Sequence, residues 1–160
     1  MRDQAFRWLT AEEQRAWRAL LEATQILMDH LDRGLQQDAE LSQADYEIFV
    51  RLSEAPERRM RMSELADRTL FSRSRLSHAV GRMERAGWIR REHCPQDRRG
   101  TFAVLTDEGY AVLEAAAPQH VTAVRTTVFD RITPAQVGQL ERIASAIRDG
   151  VRDLERERAR

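Results

Sequence analysis

The chain has one cysteine, no lysine, no net charge and no long apolar run. Each absence removes a class of protein. A single thiol, Cys94, excludes an internal disulfide and leaves no multi-cysteine metal cage. No stretch approaches the roughly 20 apolar residues needed to cross a bilayer, so no membrane partner is expected. The start, Met1-Arg2-Asp3-Gln4, has no apolar signal core. The expected location is therefore the cytoplasm. His30, His78, His93 and His120 lie far apart and show no ligand spacing, so neither metal nor cofactor is expected. The sequence also offers no phosphate loop, no paired carboxylates in a cleft signature and no nucleophile with a recognisable base, which argues against an enzyme.

At 160 residues, 42% hydrophobic and 32% charged, the chain suffices for one globular domain, or for one domain plus an assembly element. Zero net charge taken alone argues against nucleic-acid binding, but the charge is unevenly spread. Residues 1–57 carry 6 arginines against 12 acids, residues 58–99 carry 12 against 5, and residues 100–160 carry 8 against 9. The excess positive charge sits in the middle, where a phosphate-binding face could use it. That every basic residue is arginine has a bland explanation in GC-rich coding, preferred to selection for bidentate contacts.

That central segment reads as a helix followed by a hairpin. Ser72 to Gly87 carries a capping serine at one end and a helix-stopping glycine at the other. At 100° per residue Leu76, Val80 and Met83 form one stripe, while Ser74, Ser77, His78, Gly81, Arg82 and Arg85 form the opposite face. Two strand-like runs, about Ile89–His93 and Thr101–Leu105, flank the arginine-rich turn Cys94 to Gly100. The shorter helix Ser63–Arg68 precedes, with Thr69-Leu70-Phe71 as the turn between the two. Helix, tight turn, helix and basic hairpin make a winged helix-turn-helix, with Leu65, Ala66, Leu70, Leu76, Val80 and Met83 as its small core.

Outside this module the pattern is helical. Thr10 with Glu13 opens a long apolar helix, expected to break between Gly34 and Asp38. Ser42 with Asp45 opens a second, ending near Ala55-Pro56, and Glu57–Arg61 reads as a charged connector. Thr106 caps a fifth helix that should kink at Pro118 and continue through Phe129. Thr133, Pro134 and Gln136 start the last one. Along it Val137, Leu140, Ala144, Ile147, Val151 and Leu154 repeat at spacings of three and four, an a/d seam suited to dimerisation. The expected fold is mainly α. An N-terminal dimerisation helix (1–41) and C-terminal dimerisation helices (107–160) flank a winged helix-turn-helix (42–106).

Four strings in this order resemble the MarR family of bacterial transcriptional regulators: Ser63-Glu64-Leu65-Ala66, the helix Ser72 to Gly87, the wing Pro95-Gln96-Asp97-Arg98-Arg99-Gly100, and Leu105-Thr106-Asp107-Glu108-Gly109. The resemblance in element order runs from Thr10 to about Leu154. It implies a homodimer on a palindromic double-stranded DNA operator, usually repressing, and in many members released by a small phenolic or anionic effector. An activator, or a winged-helix protein binding nucleic acid without sequence preference, remains the alternative.

Candidate DNA contacts follow. Ser72 starts the helix, Ser74, Ser77, His78 and Arg82 are candidates for base edges, and Arg73 and Arg75 for phosphate. Gly81 costs about 1 kcal/mol inside a helix, which a close approach to DNA or to another helix would explain. In the wing Asp97 and Arg99 match the family's Asp-x-Arg pattern. That match implies an arginine in the minor groove, braced by the aspartate. Arg98 and Arg91 read as phosphate contacts. For an effector, Trp17, Arg18, Tyr46, Phe49 and Tyr110 could line a cleft, although each aromatic has an ordinary role as core. Cys94 beside arginines could be a sensing thiol, against the simpler reading of an inert turn residue.

Overall fold

The computed structural model describes residues 6–94 and 97–158, without the side chains of 97–99. The fold is mainly helical with a small three-stranded antiparallel sheet. It divides into two compact units, residues 1–120 and 121–160.

In the first unit α1 spans Ala11–Ala39. Its start is the expected reciprocal cap: the Thr10 hydroxyl accepts from Glu13 N at 3.2 Å, and the Glu13 carboxylate accepts from Thr10 N at 2.7 Å. The break expected at Gly34 does not occur. The helix runs on until Glu40, whose left-handed backbone (φ 55°) ends it. One glycine costs too little to stop a helix whose Leu31 and Leu35 are buried on either side of it.

Helix α2 (Gln43–Ser53) starts at a second reciprocal cap between Ser42 and Asp45. It buries Tyr46, Ile48, Phe49 and Leu52. The segment read as a charged connector instead makes a 3-10 turn, Pro56–Arg58, and a strand, β1 (Arg59–Arg61), in which Met60 points into the core between two outward arginines. Helices α3 (Met62–Thr69) and α4 (Arg73–Arg85) follow, then β2 (Ile89–Cys94) and β3 (Asp97–Leu105). The sheet order is β1-β3-β2, with Met60 opposite Ala103 and Ile89 opposite Leu105. β3 begins four residues earlier than the sequence pattern suggested, and the register slips between His93 and Cys94.

The core of this unit gathers Leu41, Phe49, Leu65, Leu76, Val80, Met83 and Ile89. Leu70 does not join it. It occupies the left-handed C-cap of α3 (φ 57°) and is 72% exposed. Helix α5 (Asp107–Thr127) is capped by the Thr106 hydroxyl, which accepts from Gly109 N at 3.0 Å. It stays helical through Pro118 and ends before Phe129, where a 3-10 turn (Phe129–Arg131) takes over.

The second unit holds the end of α5, that turn and α6 (Pro134–Arg158). Thr133 and Gln136 form the expected cap: Gln136 Oε1 accepts from Thr133 N at 2.8 Å. No described residue of α6 is buried. Its seam residues Val137, Leu140, Ile147, Val151 and Leu154 are between 36% and 58% exposed. An apolar stripe of that length left in water is unfavourable, since each side chain forgoes the gain of burial.

Candidate nucleic-acid interface

Helix α4 is held from three sides. Its start is shaped by the turn after α3, where the buried Thr69 hydroxyl donates to Leu65 O at 2.8 Å and Phe71 N donates to Ala66 O at 3.1 Å. The Ser72 hydroxyl then accepts from Arg75 N at 3.2 Å. Beneath, Leu76, Ala79, Val80 and Met83 are buried, so Arg73, Ser74, Ser77 and His78 remain exposed on the outer face. At the far end Thr106 binds the chain back, its hydroxyl lying 2.8 Å from Gly87 O and 3.0 Å from Trp88 O. Gly109 must be glycine: a β-carbon there would collide with the Trp88 carbonyl oxygen and lie 2.8 Å from Leu105 Cδ1. The Leu-Thr-x-x-Gly string thus locks the hairpin's exit to the end of α4.

The arginines divide into free and engaged. Arg73 is exposed and faces a cleft of about 490 Å³ between α4 and the hairpin, shared with Arg61, Ser77, Arg91 and Thr101. Arg75 lies over the Phe71 ring at 4.3 Å. Arg91 reaches from β2 to α4, donating to Ser77 O at 3.1 Å and pairing with Glu84 at 3.4 Å. Arg82, read from the sequence as a base reader, donates to Asp45 Oδ1 at 2.9 Å. Sequence reasoning had given Asp45 only its capping role. Glu84 was missed altogether, and no local signal marks it. Asp97, Arg98 and Arg99 lie in β3, but their side chains fall outside the described residues.

Gly81 stands in open space, with only Arg91 Nη2 at 3.9 Å and Arg85 Nη1 at 4.0 Å from a would-be β-carbon. No other helix crowds it. Cys94 is buried, and Arg61 Nη2 lies 3.1 Å from its sulfur. Burial withholds the thiol from solvent reagents.

The residues proposed for an effector are scattered in role. Phe49 is fully buried core against Trp88, at 5.7 Å between ring centroids. Tyr46 stacks on His120 at 4.2 Å. Burial raises the Tyr46 pKa and lowers that of His120. Tyr110 carries the Arg58 guanidinium 3.7 Å above its ring. Trp17 and Arg18 are exposed on α1. A separate cleft of about 850 Å³ lies between α1, α2 and α4, lined among others by Asp32, Gln43, Phe71 and Arg82 and by none of those five.

A buried-backed helix presenting small polar groups beside a basic antiparallel hairpin is the reading head of a winged helix-turn-helix protein. The comparisons agree. The model of the MarR family matches residues 40–100. Over 91% of this chain and 91% of the other, the fold is similar to Sco3205, a MarR family transcriptional regulator from Streptomyces coelicolor solved in complex with DNA, at 56% identity and a TM-score of 0.89. AbsC, a MarR family regulator from the same organism, is 45% identical over 92% of this chain and 99% of its own, with a TM-score of 0.88. The transcriptional regulator HosA of Escherichia coli O111:H- is 29% identical over 101 residues, 63% of this chain and 73% of that protein. The chain belongs to the MarR family of transcriptional regulators. Its fold and relatives are those of DNA-binding regulators and not of enzymes.

Proposed function

We propose that the protein is a repressor that binds a pseudo-palindromic operator as a homodimer. The observation that carries this is the outer face of α4: Arg73, Ser74, Ser77 and His78 are exposed over a wholly buried apolar stripe, next to an arginine-lined cleft. Small hydroxyls and an imidazole let the helix enter a major groove, and arginines around it neutralise phosphate. The wing completes the contact, with Arg99 in the minor groove and Arg98 on the backbone.

The dimer reading draws support from the exposed seam of α6. Residues 1–41 and 107–160 would serve assembly and residues 42–106 would serve DNA. A two-fold dimer sets two α4 helices roughly 34 Å apart, one turn of B-DNA, which is why the operator should be a pseudo-palindrome. Such a protein works in the cytoplasm, where the chromosome is.

Release by a small anionic or phenolic effector is part of the proposal. The cleft of about 850 Å³ supports it, because an occupant would touch α1, α2 and α4 at once and sits in the size range of ligand sites.

Selection from a random duplex pool tests the reading. Enrichment of an inverted repeat, bound by two chains per duplex, is the expected result; a single half-site or no consensus would refute it.

A further inference from the structure

The Asp45–Arg82 pair joins an element outside the helix-turn-helix to the helix that faces DNA. Asp45 is 8% exposed. One carboxylate oxygen, Oδ2, accepts from the Ser42 hydroxyl at 2.6 Å and from Ser42 N at 3.3 Å. The other, Oδ1, accepts from Arg82 Nη2 at 2.9 Å. The first turn of α2 that carries this carboxylate is tied in its turn to α1, because Gln43 N donates to Asp32 Oδ1 at 2.7 Å. A continuous polar connection therefore runs from α1 through the start of α2 to the last turns of α4.

A buried carboxylate cannot lose its cationic partner cheaply, since the desolvated charge would be left unpaired. Swinging Arg82 away to read a base would do just that. The side chain is 53% exposed, so the part left outside the ion pair stays in water.

We propose that Asp45 is a positioning residue for DNA recognition, acting through Arg82 to fix the angle at which α4 presents Ser74, Ser77 and His78. The proposal rests on the DNA-binding reading above. It reassigns Arg82 from reader to strut. Loss of the strut lets α4 rotate against α2, which misplaces the base-facing side chains while leaving the count of phosphate contacts unchanged.

The test compares Asp45→Asn, Arg82→Gln and the double variant in the full-length protein, on a duplex selected by the wild type and on its scrambled counterpart. Asparagine retains an acceptor for the Ser42 cap but not the charge. Each single variant should bind the selected duplex on the order of tenfold more weakly, and the double variant no worse than either, as coupled residues behave. Affinity for the scrambled duplex and the salt slope should stay at wild-type values. Arg82→Lys, which keeps the charge and loses the planar fork, should fall between wild type and Arg82→Gln.

A direct reader behaves differently. Wild-type affinity in Asp45→Asn, with Arg82→Gln weakened on the selected duplex, would overturn the proposal, and so would a salt slope reduced by about 0.9 in Arg82→Gln, which marks a lost phosphate contact. Equal losses on both duplexes would mean general destabilisation and would also overturn it, with thermal melts of each variant identifying that case. Failure of the wild type itself to prefer any duplex over the scrambled one would remove the DNA-binding reading and this proposal with it.

Discussion

Arg91 on β2 donates a 3.1 Å hydrogen bond to the backbone carbonyl of Ser77 on α4, across the line where hairpin and helix meet. A second contact to Glu84, at 3.4 Å, makes the guanidinium a two-point brace. The guanidinium thus sets β2 against the helix.

Arg91→Ala should loosen that junction. The brace is partly exposed, so its loss should cost about 1 kcal/mol or less. The sharper readout is local: hydrogen exchange at the amides of Ile89–His93 should accelerate, while those of α2 keep wild-type protection. Uniform exchange in the variant and wild type would contradict the bracing role.

Gly81→Ala should raise stability and lower DNA affinity together. The helix gains about 0.5–1 kcal/mol of propensity, and the nearest atoms to the new methyl are 3.9 Å away. No described residue requires a glycine there, and the proposed approach of DNA to this face of α4 would. A melting curve and a binding titration on the same sample check both halves, and unchanged affinity would show that the glycine is merely tolerated.

Gly109→Ala should do the reverse to stability. The Trp88 carbonyl and Leu105 Cδ1, the latter at 2.8 Å, occupy the space the methyl needs. Overpacking should outweigh the helical gain and leave a net loss of about 1–3 kcal/mol, read by denaturant unfolding.

His120 should make stability fall on acidification. Its ring stacks on Tyr46 at 4.2 Å, and its Nδ1 is buried with no hydrogen-bond partner among the described residues. Burial lowers its pKa below the ordinary 6.5. The unfolded chain therefore takes up the proton first as pH drops. The contribution of the neutral ring is full above about pH 6.5 and is lost below it. His120→Phe, which keeps an aromatic ring and removes the titration, should flatten the melting temperature between neutral and mildly acidic pH. An identical acid limb in both proteins would sink this assignment.

What was legible in the sequence is what short-range chemistry writes. Thr10, Ser42, Ser72, Thr106 and Thr133 each cap a helix, because a cap needs only its neighbours three residues on. The buried stripe Leu76, Val80 and Met83 was likewise readable from its period. Strand β1 was hidden, since three residues with two arginines carry no usable alternation and only pairing with β3 makes them a strand. Leu70 looked like core by residue type, but a left-handed C-cap turned it outward. In the candidate interface the basic face could be placed, but not the partners of its arginines. Asp45 and Arg82 stand 37 positions apart, and nothing local announces that they meet.

Sequence-specific DNA binding through this basic face is the proposed activity. The most direct measurement is a salt-titrated binding curve for the full-length protein on a selected duplex, with scrambled DNA as competitor. The expected result is competitor-resistant binding that weakens roughly a thousandfold between about 50 and 200 mM salt, as several neutralised phosphates require. A shallow salt dependence with equal competition from scrambled DNA would contradict it.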